Sequence, residues 1–318
     1  MRTRKEFRPA FWFGETESMK NALGAARVPP FHFFLGLALV AIFWFASWTH
    51  AGWLGTYSFF PQWLGYILVV DAGVAWRRGN SLLTRSPREF VALFVLSAPV
   101  WWLFEGLNNL LLNWHYVDTQ DFQFWRALLV GSIDFSTVIP AVFETTALLS
   151  TFQFIERMRI RRRFVIMPRL PWALMYAGAF SLAAVVVAPT LAFPLAWIWL
   201  VLIADPLNYL RGRPSLLEQI SRGDWRTVIA LALAAALCGI FWEMWNYYAM
   251  PKWFYTVPFV GFLKIFEMPL LGYGGYWPFA WELYALYHLV WGVAKRPPEA
   301  FASEMENLGV GTQMEQTR

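Results

Sequence analysis

The feature that constrains this chain most is a succession of apolar runs, each near the length a helix needs to cross a bilayer. One crossing takes about 20 residues. Eight runs can be read, at 33–53, 56–76, 89–112 and 124–155 in the first half and at 171–190, 192–210, 226–250 and 258–294 in the second. The fourth and eighth are too long for a straight crossing and are predicted to be broken. Pro61, Pro99, Pro140, Pro194, Pro269 and Pro278 fall inside the runs, where neighbouring helices can satisfy the carbonyls that a proline frees. Only 15% of residues are charged and 58% are hydrophobic, against about 25% charged in an average soluble domain. That balance excludes a disordered chain, a nucleic-acid-binding domain and an ordinary soluble enzyme. A single cysteine, Cys238, excludes a disulfide framework and any cysteine-based zinc site. The expected fold is an all-α polytopic membrane protein with eight transmembrane helices.

The basic residues predict an orientation. Of 26 Lys and Arg, 23 fall in residues 1–30, 77–88, 157–169 and 211–226 and in the tail from Lys295. With eight crossings these segments share one side, and the positive-inside rule puts that side, with both termini, in the cytoplasm of a cell (inner) membrane. The expected organisation is an N-terminal segment 1–30, a first four-helix unit 31–156, a basic linker 157–169, a second unit 170–296 and a polar, disordered tail 297–318. The N-terminus lacks the pattern of a cleavable signal. Phe11, Trp12 and Phe13 beside Arg8 and Lys20 suit a segment lying on the membrane or a cytosolic leader. The run Arg157 to Arg163 reads as a topology signal meeting anionic lipid.

An internal repeat supports the division. Phe104-Glu105-Gly-Leu-Asn108 matches Trp242-Glu243-Met-Trp-Asn246 at an offset of 138, and Pro140-Ala-Val-Phe-Glu144 matches Pro278-Phe-Ala-Trp-Glu282 at the same offset. Trp114-His-Tyr116 matches Trp253-Phe-Tyr255 with a one-residue slip, and Asp71, Arg77 and Ser81 match Asp205, Arg211 and Ser215 at 134. Two units of four helices each have the same orientation, so the repeat is parallel.

The duplicated polar positions lie in apolar helices. A charged side chain at the centre of a membrane helix costs roughly 2.5–3.5 kcal/mol on insertion scales, and such residues usually face the bundle interior on a functional path. Glu105 and Asn108 share a helix face, as do Glu243 and Asn246. Pro140 and Pro278 precede Glu144 and Glu282 by one turn and are expected to bend their helices there. Packed about a pseudo-two-fold axis, the four acids could converge. An apolar, water-poor site disfavours the charged form of a carboxyl group, which suits general acid and base chemistry. Glu144 and Glu282 are the candidate acids, Glu105 and Glu243 the candidate bases or charge stabilisers, and Asn108 and Asn246 their orienting partners. Trp101, Trp102, Trp242, Trp245, Trp281 and Tyr284, with Glu267, are the candidate substrate lining, because aromatic faces stabilise cations where water is absent. The plain alternative is that Glu and Asn hold a duplicated bundle together. The aromatics near 114–125 and 253–256 are expected in an interfacial belt.

In these residues the chain resembles the integral-membrane lycopene cyclases of the heterodimeric bacterial and bifunctional fungal kind. Those are duplicated helical units, each with a Trp-x-Tyr followed by a Pro-x-Glu-Glu motif in the next helix. Here Trp114-x-Tyr116 precedes Pro140 and Glu144, and Trp253-x-Tyr255 precedes Pro278 and Glu282, at a Pro-x-x-x-Glu spacing. The likeness covers the last two spans of each half. It implies a cyclase- or isomerase-type reaction on a carotenoid or other isoprenoid, acid-catalysed and without a cofactor.

Other classes are thinner. No P-loop, dinucleotide fingerprint or Asp-rich diphosphate motif occurs, and the Glu-x-x-His pairs of di-metal bundles are missing, so no metal is expected. His288 is six residues after Glu282, off its face, and His115 is expected at the interface. Asp71 and Asp205 read as interfacial pairs with Arg77 and Arg211. The Gly-rich run Gly272 to Tyr276 suggests a re-entrant or broken element, with Lys264 and Glu267 spaced to pair and a similar break near Arg126 and Asp134. Paired broken helices also mark transporter binding sites. A proton-coupled transporter or channel using the same carboxylates is therefore the main rival, and a non-catalytic scaffold the third reading. The expected partner is a membrane lipid or lipophilic small molecule, not nucleic acid.

Overall fold

The computed structural model describes residues 29–119, 122–160 and 162–293. The expected interfacial segment around Phe11, Trp12 and Phe13 and the polar tail from residue 297 lie outside the described residues. The fold is mostly helical. The long helices are α1 (Phe31–Trp48), α2 (Phe59–Arg78), α3 (Pro87–Leu111), α4 (Phe124–Phe135), α5 (Val138–Leu149), α6 (Leu170–Val187), α7 (Trp199–Leu210), α8 (Arg226–Tyr247) and α9 (Tyr276–Val293). Among the described residues six spans are long and apolar enough to cross a membrane: α1, α3, α4 with α5, α6, the run Pro189–Leu210 that ends in α7, and α8. The chain is a multi-pass membrane protein. At 20 residues α2 is long enough as well, and at 18 so is α9. They are less apolar because they sit inside the bundle, where α2 buries Gln62 and Asp71 and α9 buries Glu282, Tyr284 and Tyr287.

Helices α1 and α6 form outer layers, with Phe31, Phe34 and Phe45 on one and Trp172, Tyr176 and Phe180 on the other exposed. Such apolar faces suit contact with lipid. Helix α1 packs on α2 and α6 on α7, α5 packs on α2 and α9 on α7, and α5 lies against α3 as α9 lies against α8. The α1–α2 contact is close because Gly36 and Gly65 face each other. A Cβ on Gly36 would sit 2.6 Å from the Gly65 carbonyl oxygen, so the backbones meet as small residues allow in membranes.

The breaks have local causes. Between α4 and α5 the Ser97 hydroxyl of α3 donates to the Phe135 carbonyl (2.6 Å) and accepts from the Ile139 amide (3.0 Å), satisfying backbone groups that the break would leave open. Before α7 the chain forms a short helix Pro189–Ala192 and a 3-10 turn Phe193–Trp197. The eighth apolar run is not two half-helices. Lys264–Ile265 pairs with Met268–Pro269 and a 3-10 turn Leu270–Gly275 leads into α9. Pro140 and Pro278 are each the third residue of their helices. In a first turn the amide that proline lacks has no helical partner anyway, so both start helices rather than bend them.

Within this mostly helical fold, in keeping with the all-α class, Trp114–Val117 (β1) and Lys252–Tyr255 (β2) form a short antiparallel ribbon, built from the aromatic residues that favour strands. One further expectation is corrected. Asp71 and Asp205 do not pair with Arg77 and Arg211. Asp71 accepts from the Ser81 hydroxyl (2.7 Å) and the Leu83 amide (3.0 Å), and Asp205 from the Leu216 and Leu217 amides (2.7 and 2.8 Å). These are the open donors at the starts of the short helices Leu82–Arg85 and Leu216–Ser221, which attract acidic groups.

Candidate functional site

The ribbon organises the site. Trp114 lies opposite Tyr255, His115 opposite Phe254 and Tyr116 opposite Trp253. The two Trp-x-Tyr triplets are thus antiparallel and related about the His115–Phe254 pair. Side chains at i and i+2 share a strand face, and so do directly opposed residues, so all four Trp and Tyr rings lie on one face of the ribbon. Each triplet is anchored to the helix before it. Asn108 donates to the Trp114 carbonyl (2.8 Å) and accepts from the Asn113 amide (2.9 Å). Asn246 donates to the Trp253 carbonyl (2.7 Å) and accepts from its amide (2.8 Å). The two asparagines therefore position strands; they do not touch the carboxylates as expected.

The carboxylates sit one helical turn away. Glu105, half-buried, accepts at Oε1 from the indoles of Trp101 (2.8 Å) and Trp114 (3.1 Å) and from the Tyr116 hydroxyl (2.5 Å). Glu243, fully buried, accepts at Oε1 from the hydroxyls of Tyr255 (2.7 Å) and Tyr276 (2.9 Å), while its Oε2 has no hydrogen-bond partner among the described residues. The Trp253 indole donates to the Tyr255 hydroxyl (2.9 Å) instead of to the acid. Trp101 has Gly239 as its counterpart at the 138 offset. A Cβ there would lie 2.4 Å from the Tyr276 ring, so the missing side chain makes the room through which Tyr276 reaches Glu243.

Aromatic rings wall this tier. Phe104 stacks on Trp197 at 5.6 Å and meets Phe279 edge-on at 5.3 Å. Trp242, at the position matching Phe104, lies 5.0 Å from Trp63 and stacks on Tyr276 at 5.8 Å. Trp245 packs against Trp63 at 5.0 Å.

Glu144 and Glu282 form a second tier. Ile139 and Ser97 are level with each other; from there Glu105 is eight residues along α3 and Glu144 five along the oppositely directed α5, roughly 20 Å apart at about 1.5 Å per residue. The four acids do not share one point. Glu282 Oε1 accepts from the Leu200 amide (3.0 Å) in the first turn of α7, an unpaired donor created by the break before that helix. The equivalent stretch of α2 is unbroken, and neither oxygen of the buried Glu144 has a hydrogen-bond partner among the described residues.

The remaining expected lining residues are scattered. The Trp102 indole donates to the Ser132 hydroxyl (3.0 Å), that of Trp281 to the Val228 carbonyl (3.0 Å), and the Tyr284 hydroxyl accepts from Gln219 (2.9 Å). Glu267 pairs with Lys252, not with Lys264. Lys264 instead reaches the Tyr255 carbonyl at 3.4 Å. The belt expected at 114–125 and 253–256 is divided. Phe124 and Trp125 are exposed as a belt requires, whereas Trp114, Tyr116, Trp253 and Tyr255 turn towards the acids. Tyr276 was missed as a carboxylate partner; the signal was the glycine at 239 where the first half has tryptophan. Among the described residues no group of three His, Cys, Asp or Glu side chains is placed to hold a metal ion. Compared with family models, curated proteins and solved structures, the chain has no match.

Proposed function

We propose that the chain is an eight-span enzyme of the cell (inner) membrane, made of two four-helix units in parallel repeat with both termini in the cytoplasm, acting by acid and base chemistry on an isoprenoid-like lipid. The equivalent packing of helices in the two halves and the ribbon register support the repeat. The observation that carries the reaction is the pair of phenols on one oxygen of the buried Glu243. With Oε1 held by Tyr255 and Tyr276, a proton on Oε2 is free to leave. Transfer to a carbon–carbon double bond forms a C–H bond from the π electrons and leaves a carboxylate that the two phenols stabilise. The carbocation then gains from the faces of nearby Trp rings. It resolves by ring closure or by proton loss to a carboxylate, with Glu105 the second one beneath the ribbon. The resemblance to lycopene cyclases fits this reading, with the Trp-x-Tyr triplets serving as carboxylate holders. The test is lipid and pigment profiling of cells expressing the wild type, Glu243→Gln or Glu282→Gln. The expected result is loss of a product with Glu243→Gln; identical profiles in all three would refute the proposal.

A proton-coupled transporter is the second reading, favoured by Glu144, which lines a cavity at the basic end of the bundle. Substrate-dependent proton flux in liposomes would select it.

A further inference from the structure

We infer that Glu144 exchanges protons with the aqueous phase at the basic end of the bundle, through a one-water cavity, while its repeat counterpart Glu282 is a fixed helix cap. This goes beyond the proposed reaction, which uses the other tier, and does not depend on it. Both oxygens of Glu144 lack a hydrogen-bond partner among the described residues, and the side chain is 1% exposed. An acid so placed is costly to bury, and its helix offers no compensation. It lines a cavity of about 20 Å³ together with Arg78, Asn80, Ser81, Arg85 and Ala147, enough for about one water. Asn80 and Arg85 are exposed, so the outer rim is at the surface. Polar groups there can hold a water, which needs two to four partners.

The charged and ionisable groups around it come from several elements. Asp71 and Arg78 lie on α2, with His32 of α1 3.0 Å behind Asp71. Arg85 is on the short helix that follows, Cys238 of α8 lies 3.6 Å from the neighbouring Thr145, and Tyr287 of α9 meets Phe143 at 5.3 Å, with Glu89 of α3 near that tyrosine. None of these binds the Glu144 carboxyl, and the arginines leave an electropositive mouth. Glu282 is equally buried and its Oε2 is also without a partner among the described residues, but its Oε1 is occupied by the Leu200 amide at the start of α7 and it is not in the lining of the Glu144 cavity.

Dicyclohexylcarbodiimide tests this on the full-length protein in oriented vesicles. The reagent enters apolar regions and adds to a protonated carboxyl. The proton passes to one carbodiimide nitrogen, the carboxyl oxygen bonds to the central carbon, and the acyl group migrates to nitrogen as a stable adduct that peptide mass spectrometry locates. The expected result is labelling of Glu144 in preference to Glu282, at a rate set by the pH bathing the basic end and falling about tenfold per pH unit once the carboxyl is mostly ionised. Glu144→Gln should remove that adduct and Glu282→Gln should leave it. Equal or preferred labelling at Glu282, or a rate that follows the pH at the ribbon end, overturns the inference. The wild-type measurement needs no variant to fold. It is also independent of the product profiles, which can fail while the labelling pattern holds.

Discussion

In the first half, Glu105 rests under two indoles and a phenol; in the second, Glu243 rests under two phenols and is sealed from solvent. The helices, the Asn anchors and the Trp-x-Tyr strands correspond, yet the donors differ because one tryptophan became Gly239 and its space went to Tyr276. The inner tier diverges in the opposite sense. There the second half gives Glu282 an amide from a broken helix, and the first half, with α2 intact, leaves Glu144 open to a cavity. Duplication thus supplies positions, and small changes in backbone continuity and side-chain volume decide which copy is held and which is poised.

Breaking the outer comparison at Glu243 should have the largest effect. Glu243→Gln removes the proposed proton donor and should lower product formation by about 10²- to 10⁴-fold, the usual range for a positioned acid, read from product yield per unit of protein in membranes. Glu105→Gln should cost less, because its carboxylate is only half-buried. Equal losses in the two variants would mean that the halves share the work.

The Gly239–Tyr276 exchange sharpens the comparison. Gly239→Ala should destabilise by about 1–3 kcal/mol through overpacking against the tyrosine ring, seen as a lower unfolding midpoint in detergent. In a Tyr276→Val background the same change should cost less, since valine stands at the matching position of the first half. Additive effects would show that the two positions do not compete for one space.

Asn108→Ala and Asn246→Ala should each destabilise by about 1–3 kcal/mol, because they strand buried strand amides and carbonyls. Similar losses in thermal stability are expected from both, as the anchors match; a large disparity would mean that the ribbon depends on one half.

The smallest effect belongs to the basic linker. Its backbone bonds the turn before α8 through Ile160 to Gly223 (2.8 Å) and Trp225 to Met158 (3.1 Å). Burial pushes the Asp224 carboxyl up, but the Arg226 guanidinium beside it outweighs this and holds it below the usual carboxylate range. A depressed folded value stabilises above the ordinary aspartate value, near 4, and that contribution is lost as pH falls through the lower folded value. Acidification below about pH 4 should therefore raise hydrogen exchange at the Ile160 and Trp225 amides, by no more than about fivefold for a part-exposed pair. Arg226→Gln should move the onset upward in pH.

Much of this was legible in the chain itself. Apolar run length marked the membrane helices and the break in the fourth run, and constant offsets marked the paired Glu, Asn, Pro and Asp positions. The roles were not legible. Asn108 and Asn246 looked like carboxylate partners because three-residue spacing shares a helix face, but the strand backbone that follows them offered closer donors and acceptors. Pro140 and Pro278 looked like kinks because nothing local reveals where a helix starts inside an apolar run. The tyrosines looked like an interfacial belt because composition cannot show which way a strand faces.

The order of residues alone determined a multi-pass helical protein with matched polar positions, since hydropathy and spacing are properties of the chain. Tertiary structure decided which acid is paired and which is not, because hydrogen-bond satisfaction depends on backbone ends and neighbouring rings brought in from other elements, as Leu200 shows 82 residues from Glu282 and Tyr255 shows 12 residues from Glu243.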